Sequence, residues 1–506
     1  MDSPSSKALL VILDGYGIAE HPEVSAIDRA DTPFLDHLFV SAPHARLSAS
    51  GTDVGLPEGQ FGNSEVGHLN IGAGRIVWQE LSRINRAIAD GTFYRNEVLV
   101  NAMEKASERG RLHIMGLFSE GGVHSHNDHL FALLELARRH EVDRALVHAF
   151  TDGRDTAPRA GADYMRTFQQ RSREIGLGTI ASIVGRYFAM DRDERWDRTR
   201  AAYDLLVRGN GEPFEDPAEA LEHRYASGET DEFIRPMVRA GLEDGRIREG
   251  DVVVFYNIRG DRARQLTRAF LQENLEAFPA EDLKPHYCTF TRYDDDFEKA
   301  QVAFPPAAIP NTLGETVSRR HLRQLRIAET EKYAHVTYFF NGGEEDPYQG
   351  EERILIPSPH VATYDLKPEM SAPEVADALC SQLITEKHHL AVLNFANPDM
   401  VGHTGVMEAA VRAVETVDTQ LEKVVTAARE HGYKVLIIAD HGNADCMVQE
   451  DGSPHTAHTC APVPVLLLGE GEGTRLRDGI LADVAPTLLK MMGLEAPAEM
   501  TGKPLF

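Results

Sequence analysis

The sequence predicts an α/β fold with mostly parallel strands. Short apolar runs alternate with amphipathic stretches along the whole chain, and strands alternating with helices give this pattern. The clearest helix is predicted over Met407 to Arg429, where valines and leucines recur at three- and four-residue steps. The predicted strands are Ala8 to Leu13, Leu112 to Phe118, Ala145 to Phe150, Thr179 to Val184, Val252 to Tyr256, Val336 to Phe340, Ala391 to Phe395, Val435 to Ala439 and Val463 to Leu468.

Length and charge narrow the class of protein. A chain of 506 residues is long enough for two large domains or three ordinary ones. Its formal net charge of −27 argues against a nucleic-acid or anionic-membrane partner. The apolar runs are too short to span a membrane, and the N-terminal run is too short for a signal peptide. With four cysteines and no CxxC pair, we expect reduced thiols and a cytoplasmic protein.

The residues that follow the predicted strands fall into two chemical sets. Ligands bind beyond the carboxyl ends of strands in α/β sheets. One set, from both ends of the chain, has the carboxylates and imidazoles that bind divalent metals: Asp14, Asp399, His403, Asp440, His441 and His458. The other, from the middle of the chain, has arginines suited to phosphate and carboxylate: Arg154, Arg186, Arg192, Arg259 and Arg262.

This separation predicts two domains. A discontinuous metal-binding domain would comprise residues 1–76 and 311–506, and an inserted anion-binding domain residues 77–310. The second boundary coincides with a proline-rich stretch, Phe304 to Asn311, which is typical of a linker. A hinge at the two boundaries would let the domains close on a substrate.

A glycine-rich stretch from Gly62 to Gly72 carries a candidate nucleophile, Ser64. Small residues around a serine just before a helix allow a substrate or phosphate to approach the backbone closely. The commoner interpretation of such a serine is an ordinary helix cap. A catalytic role for Ser64 can therefore be assigned only if other residues of the chain support it.

The spacing of the metal-type residues predicts two metal centres. Asp399 and His403 are four residues apart and would share one face of a helix, while Asp440 and His441 are adjacent at a strand end, where one side chain can turn to each of two ions. The alternatives are a solvated turn and a surface histidine. Coordination by the nearby cysteines, Cys446 and Cys460, is a further alternative.

A second metal pattern competes with this interpretation. The stretch His124 to His129 fits the H-x-H-x-D-H pattern of metallo-β-lactamase-type hydrolases. It lies among the arginine-bearing strand ends and has no further ligands at suitable spacing. We therefore expect His124 to contact substrate, and His126 and His129 to be structural.

Seven motifs together resemble the cofactor-independent phosphoglycerate mutase family, part of the alkaline phosphatase superfamily. They occur in this order over nearly the whole chain: 62–68 GNSEVGH, 121–126 GGVHSH, 152–156 DGRDT, 185–193 GRYFAMDRD, 328–337 AETEKYAHVT, 397–403 NPDMVGH and 439–443 ADHGN. The resemblance implies an alkaline-phosphatase-like domain with an inserted phosphotransferase domain. It also implies an isomerase that interconverts 3-phosphoglycerate and 2-phosphoglycerate through a phosphoserine, without 2,3-bisphosphoglycerate.

The resemblance assigns roles to particular residues. It implies that Ser64 is the nucleophile, that Asp155 is the general base on the glycerate hydroxyl, and that Lys332 lies near the transferring phosphoryl group. It implies a substrate grip by His124, Arg154, Asp155, Arg186, Arg192, Arg259, Arg262 and Lys332. It also implies two divalent ions, for which Mn²⁺ is preferred and Mg²⁺, Co²⁺ and Zn²⁺ are alternatives. One ion would be held by Asp14, Ser64, Asp440 and His441. The other would be held by Asp399, His403 and His458, with His455 as a lower-ranked alternative to His458.

Three further expectations complete the interpretation. The family suggests a monomer with a small-molecule substrate. Gly260 stands where the family commonly has proline, which leaves the placement of Arg259 open. The rival functions are a related metal-dependent hydrolase, a phosphosugar mutase, and a catalytically silent metal- and phosphate-binding protein.

Overall fold

The computed structural model describes residues 6–271, 275–471 and 473–506. The chain forms two compact units: unit 1 comprises Met1–Gln79 and Ala308–Phe506, and unit 2 comprises Glu80–Ala307. The units are therefore joined along the chain at residues 79–80 and 307–308, where the sequence predicts boundaries at 76–77 and 310–311.

Each unit contains one eight-stranded sheet. The strands are β1 (Lys7–Leu13), β2 (His44–Ser48), β3 (Leu112–Phe118), β4 (Ala145–Thr151), β5 (Thr179–Gly185), β6 (Glu212–Phe214), β7 (Met237–Arg239), β8 (Val252–Phe255), β9 (His286–Thr289), β10 (Gln301–Val302), β11 (Gln324–Glu329), β12 (Glu351–Ile356), β13 (Leu390–Phe395), β14 (Tyr433–Ile438), β15 (Val463–Leu468) and β16 (Gly479–Ile480).

Parallel pairing dominates both sheets. The sheet of unit 1 has the order β12-β11-β13-β1-β14-β15-β2-β16, and its first five strands are parallel. The sheet of unit 2 has the order β10-β9-β8-β3-β4-β5-β7-β6, and its first six strands are parallel. Central strands such as β1 and β3 are buried on both faces, as expected for parallel strands covered by helices.

Helices cover the sheets. They are α1 (Ala26–Arg29), α2 (Pro33–Ser41), α3 (Ser64–Ala73), α4 (Glu80–Ala89), α5 (Glu97–Arg109), α6 (Asn127–Arg139), α7 (Gly161–Ile175), α8 (Arg186–Ala189), α9 (Trp196–Arg208), α10 (Pro217–Ala226), α11 (Arg264–Leu271), α12 (Leu313–Arg319), α13 (Thr330–Ala334), α14 (Ala372–Leu383), α15 (Asn397–Gly402), α16 (Met407–Glu430) and α17 (Val484–Met491). The predicted helix over Met407 to Arg429 corresponds to α16, whose valines and leucines pack in the core of unit 1.

One predicted strand is wrong. Val336 to Phe340 belongs to a π-helical turn, His335–Phe339, that continues α13. Its β-branched and aromatic residues favour a strand locally, but this turn packs against α3 so closely that a Cβ on Gly72 would lie 1.9 Å from the Phe340 carbonyl oxygen. Tertiary packing overrides the local preference here.

Among the described residues, no helix is both long enough and apolar enough to cross a membrane. All four cysteines are free; Cys288 is buried and Cys460 exposed. Cys446 and Cys460 donate to the backbone carbonyls of Val448 and Gly59.

Candidate active site

Four adjacent parallel strands bring the metal-type residues of unit 1 to one edge of its sheet. In the order β11-β13-β1-β14, these strands are followed by Lys332, Asp399, Asp14 and Asp440 respectively. Because carboxyl ends of parallel strands lie at the same edge, residues distant in sequence converge. We call this group the Ser64 cluster; it comprises Asp14, Ser64, Lys332, Asp399, His403, Asp440, His441 and His458.

Ser64 is the first residue of α3 and is buried. Asn63 caps the helix by accepting the N–H of Val66, which leaves the Ser64 side chain free to turn toward the strand ends. Its hydroxyl lies 3.1 Å from Asp14 Oδ1 and 2.9 Å from His441 Nε2. A hydroxyl at a helix N-terminus is also well placed for a phosphate, because unpaired N–H groups and the helix dipole favour an anion there.

Lys332 is the buried cation of the cluster. Its ammonium donates to Ser64 Oγ at 2.7 Å, Asp14 Oδ1 at 2.8 Å and Asp399 Oδ2 at 2.5 Å, so all three of its protons have partners. Burial alone would lower the pKa of Lys332, but Asp14 and Asp399 hold it well above its usual value. Burial alone would likewise raise the pKa of Asp14, which Lys332 and His441 hold well below its usual range.

The first metal-type group surrounds Ser64. His441 Nε2 lies 3.4 Å from Asp14 Oδ1 and 3.6 Å from Asp440 Oδ2. With metal–ligand bonds of about 2.1 Å, neighbouring donors of an octahedral or tetrahedral ion lie about 3.0–3.4 Å apart. The separations here are close to those values.

The second group has still more regular spacing. Asp399 Oδ1 lies 3.2 Å from His403 Nε2 and 3.1 Å from His458 Nε2, and the two ring nitrogens lie 3.1 Å apart. Asp399, His441 and His458 also lie close enough together to share an ion. His441 is thus positioned between the two groups, and the rings of His441 and His458 are 4.0 Å apart.

Backbone carbonyls hold all three histidines in ligand orientation. The Nδ1 atoms of His403, His441 and His458 lie 2.8, 3.2 and 2.9 Å from the carbonyl oxygens of Thr456, Gly442 and Gly62. A hydrogen bond from Nδ1 leaves Nε2 as the lone-pair nitrogen, which is how metal-binding histidines are usually oriented. In each ring it is Nε2 that faces the carboxylates.

The residues present fit two divalent cations. Among the described residues, Asp440 Oδ2 is buried without a hydrogen bond; it faces His68 Nδ1 at 3.2 Å and His441 Nε2 at 3.6 Å. A buried carboxylate oxygen in these surroundings favours a bound cation. Burial alone would lower the pKa of His441, yet Asp440, Asp14 and Asp399 raise it to about 9. The cluster therefore has an excess of negative charge that favours bound cations.

Residues to which the sequence assigned no role support the cluster. The amide of Asn394 donates to Asp14 Oδ2 at 2.8 Å and lies 3.0 Å from His68 Nε2, while Asn443 donates to Asp399 Oδ1 at 2.7 Å. His68 Nδ1 in turn lies 2.8 Å from the Ser64 carbonyl oxygen. A lone asparagine inside the apolar strand β13 was the available signal for Asn394.

Unit 2 has its own convergence of strand ends. In the order β8-β3-β4-β5, the strands are followed by the arginine loop 259–262, by His124, by the loop 152–155 and by Arg186. We call this group the arginine cluster; it comprises His124, Arg154, Asp155, Arg186, Arg192, Arg259 and Arg262. Burial, Arg192, Arg154 and Arg186 all lower the pKa of Arg262, which reflects the crowding of like charges.

Two carboxylates organise the arginine cluster. Arg186 Nη1 donates to Asp155 Oδ2 at 2.7 Å. Asp261 lies 3.3 Å from Arg192, 3.5 Å from Arg259 and 3.7 Å from His124. Burial and the neighbouring Arg186 lower the pKa of His124 to about 4, so its imidazole is neutral near pH 7.

The remaining sequence candidates have other surroundings. His126 caps α6 by accepting the N–H of Asp128, and His129 Nε2 lies 2.8 Å from Asn85 Oδ1. Among the described residues, none of His124, His126, His129 and His455 belongs to a group with metal-binding spacing.

Gly260 packs against the backbone of Tyr293. A Cβ at Gly260 would lie 2.6 Å from Tyr293 Cα, so the family's proline would not fit this loop without a shift. The adjacent arginines, Arg259 and Arg262, nevertheless lie within the arginine cluster.

Comparison with known proteins agrees with this geometry. The Metalloenzyme superfamily model matches residues 6–496. The 2,3-bisphosphoglycerate-independent phosphoglycerate mutase of Salinibacter ruber is 57% identical, and the alignment covers 100% of this chain and 98% of that protein. The mutase of the same name from Moorella thermoacetica is 54% identical over 98% of each chain. The crystal structure of Leishmania mexicana phosphoglycerate mutase at low cobalt concentration has a TM-score of 0.61 and 31% identity, and covers 100% of this chain and 98% of that one.

The fold and the carboxylate–imidazole site thus define a member of the metalloenzyme superfamily. Within it, the chain belongs to the 2,3-bisphosphoglycerate-independent phosphoglycerate mutase family. The predicted family, the α/β two-domain fold class and the assignment as an isomerase are confirmed. Dependence on divalent metal is also supported.

Proposed function

We propose that this protein interconverts 3-phosphoglycerate and 2-phosphoglycerate through a phosphoserine on Ser64, without free 2,3-bisphosphoglycerate. One observation carries the proposal: a buried serine hydroxyl lies within 3.1 Å of a carboxylate, an imidazole and an ammonium at a helix N-terminus. A serine hydroxyl is a weak nucleophile on its own, and this environment favours its alkoxide and a bound phosphoryl group.

Each unit supplies one part of the chemistry. In unit 1, the Ser64 alkoxide forms a bond to phosphorus while the bond from phosphorus to the glycerate oxygen breaks, and Lys332 stabilises the charge on the phosphoryl oxygens. The departing glycerate oxygen takes up a proton from protonated Asp155. In unit 2, the arginine cluster holds the glycerate. Asp155 then takes the proton from the other glycerate hydroxyl, whose oxygen attacks the phosphoserine and frees Ser64.

Two divalent ions would be held by the Ser64 cluster. We assign Asp14, Ser64, Asp440 and His441 to one ion, and Asp399, His403 and His458 to the other. When bound, such ions lower the pKa of a coordinated hydroxyl and neutralise phosphoryl charge. We propose Mn²⁺ in both positions, with Mg²⁺, Co²⁺ and Zn²⁺ as the alternatives to test.

The proposal extends to the setting of the enzyme. We infer a cytoplasmic monomer that acts on a small molecule and binds neither nucleic acid nor membrane. The net charge of −27 supports the absence of polyanionic partners. Light scattering of the purified protein tests the oligomeric state.

The decisive experiment is an isomerase assay on 3-phosphoglycerate without 2,3-bisphosphoglycerate. We expect activity to vanish on chelation and to return with Mn²⁺, and Ser64→Ala to lose at least about 10⁴-fold in kcat. Chelation should also lower the melting temperature, because an ion that binds only the folded state stabilises it. Full activity after metal removal, or in Ser64→Ala, would overturn the mechanism.

The same assay separates a mutase from a hydrolase. Phosphate release is measured alongside isomerisation, and we expect it to be minor. Phosphate release at a rate equal to isomerisation would favour the related hydrolase. The arginine cluster argues against that outcome, because hydrolysis does not require the dephosphorylated glycerate to stay bound.

A further inference from the structure

A buried carboxylate in unit 2, Asp152, has no role in the proposed reaction. It is the first residue after β4 and is 2% exposed. It accepts four hydrogen bonds: from Ser119 Oγ at 2.6 Å, Arg154 N at 3.1 Å, Asp155 N at 3.0 Å and Arg186 Nη1 at 2.6 Å. Three of these bonds end on Oδ1 and one on Oδ2, so both oxygens of the carboxylate accept hydrogen bonds.

Two of these bonds shape the loop that carries Asp155. Asp152 Oδ1 accepts the backbone N–H groups two and three residues further on, which is the pattern of an Asx turn. Gly153, which lies between Asp152 and Arg154, has a φ of +71°, and a Cβ there would lie 2.7 Å from Glu232 N. The side chain of Asp152 therefore determines the direction in which Arg154 and Asp155 leave the sheet.

The other two bonds connect neighbouring strand ends. Ser119 follows β3, and its hydroxyl accepts the N–H of Gly121 while donating to Asp152; this is the loop that leads to His124. Arg186 follows β5, and its Nη1 lies between two carboxylates, 2.6 Å from Asp152 and 2.7 Å from Asp155. Asp152 thus joins the ends of β3, β4 and β5.

The charge of Asp152 matters as well as its geometry. Arg186 is 3% exposed, and a buried guanidinium requires a counter-charge. If Asp152 were neutral, Asp155 would be the one carboxylate left within 4 Å of Arg186 among the described residues. Asp155, which already lies 2.7 Å from Arg186 Nη1, would then be the sole counter-charge to Arg186 among these groups, and the stronger ion pair would oppose its action as a base.

We propose that Asp152 is a positioning residue that neutralises Arg186 and holds the Asp155 loop, so that Arg186 and Asp155 together grip the glycerate. This inference rests on the proposed function and adds a residue to it. In this proposal Asp152 acts through Arg186 and Asp155.

Asp152→Asn tests the proposal at nearly constant shape. The amide retains one carbonyl oxygen for the backbone N–H groups, and its nitrogen can donate to Ser119 Oγ, but the charge opposite Arg186 is lost. We expect kcat/KM for 3-phosphoglycerate to fall about 100-fold. Ser119→Ala, which removes one hydrogen bond and keeps the charge, should lose about tenfold or less.

Asp251→Asn is the matched control. Asp251 is also buried in unit 2, at 1% exposed, and accepts from Arg111 Nε and Arg248 N at 2.8 Å. It precedes β8 and so lies at the opposite edge of the same sheet. We expect this variant to lose stability and to keep wild-type kcat and KM.

The ratio of phosphate release to isomerisation separates positioning from simple structural loss. If the glycerate is held less well, water competes for the phosphoserine, so the ratio should rise severalfold in Asp152→Asn. A purely structural defect would lower both rates in proportion. A ratio equal to that of the wild type, or kinetics equal to those of Asp251→Asn, would overturn the inference. Absence of isomerase activity in the wild type would instead refute the proposed function.

Discussion

Lys332 shows how one residue can determine the character of a site. Its three ammonium protons are directed to the candidate nucleophile and to two buried carboxylates. Because those carboxylates hold its pKa well above the usual value, Lys332 is a cation near neutral pH. Its contribution is therefore a fixed positive charge rather than proton transfer.

At the same scale, a substitution of Arg262 tests whether the arginine cluster binds the substrate. It is partly buried, donates to the Met190 carbonyl oxygen at 3.3 Å and lies near Arg192, Arg154 and Arg186. Arg262→Ala should reduce kcat/KM for 3-phosphoglycerate by about 100-fold, because a charged hydrogen bond to the substrate is lost. Steady-state kinetics measure the effect.

Arg144→Ala is the control for that change. Arg144 is about half exposed, pairs with Asp244 and precedes β4 at the opposite edge of the sheet. We expect its kinetics to be those of the wild type. Equal kinetics in Arg262→Ala would remove Arg262 from the anion site.

At the scale of elements, α3 approaches the backbone of neighbouring segments closely at two of its glycines. Two of its glycines touch backbone: a Cβ at Gly72 would lie 1.9 Å from the Phe340 carbonyl oxygen, and one at Gly67 would lie 2.8 Å from the Asp440 carbonyl oxygen. Both distances are shorter than any normal van der Waals contact. The contact of Gly72 with Phe340 positions the π-helical turn, and the contact of Gly67 with Asp440 positions a candidate metal ligand.

Alanine at these two glycines should therefore have different effects. Gly72→Ala should lower the free energy of unfolding of unit 1 by about 3 kcal/mol. Gly67→Ala should displace Asp440 and lower kcat about 100-fold, with a smaller effect on stability. Urea unfolding followed by Trp78 fluorescence, in a Trp196→Phe background, reports unit 1 alone, because each unit has one of the two tryptophans. The reverse pattern of effects would contradict this division of roles.

Which elements were predictable depends on how their residues are packed. Strands buried on both faces, such as β1 and β3, are continuous apolar runs and were predicted. β11 was missed because a buried arginine, Arg326, interrupts its apolar run; its guanidinium lies 4.6 Å from the Phe340 ring. The apolar run at 336–340 was predicted as a strand because periodicity cannot separate short buried strands from helical turns.

The residues of the candidate site also differ in how far the sequence could predict them. Charged residues that follow predicted strands, such as Asp14 and Arg186, could be grouped by sign from the sequence, and the structure brings each group together. Neutral supports such as Asn394 and Ser119 could not, because an amide or hydroxyl has too many ordinary uses to indicate a site. Their roles depend on contacts across strands.

At the scale of the whole molecule, unit 1 should respond to pH through Glu329. This carboxyl, at the end of β11, is 1% exposed and accepts from Ser358 Oγ at 2.8 Å. Burial, only partly offset by hydrogen bonds from Ser358 and Ser371, raises its pKa to about 7. The folded state therefore keeps a proton that the unfolded chain loses above its ordinary pKa of 4.5.

The sign of the effect follows from this difference in proton binding. Because the folded state binds the proton more tightly, the stability of unit 1 should fall as pH rises from 4.5 to about 7, by up to about 3 kcal/mol. Glu329→Gln should remove this slope. Urea unfolding reported by Trp78 fluorescence at pH 5 and pH 8 measures how the free energy of unfolding of unit 1 changes with pH. If that change were the same in the variant as in the wild type, other groups would be responsible.

The insertion of unit 2 also delays the synthesis of the strands that neighbour β1. Ala8 of β1 pairs with Leu390 of β13 and with Lys434 of β14, so the central strand of unit 1 leaves the ribosome well before either neighbour. At translation rates of about 5–20 residues per second, the interval is roughly 20–80 seconds. Unit 2 is contiguous, from Glu80 to Ala307, and is complete within that time. β1 is thus paired with β13 and β14 only after unit 2 has emerged in full.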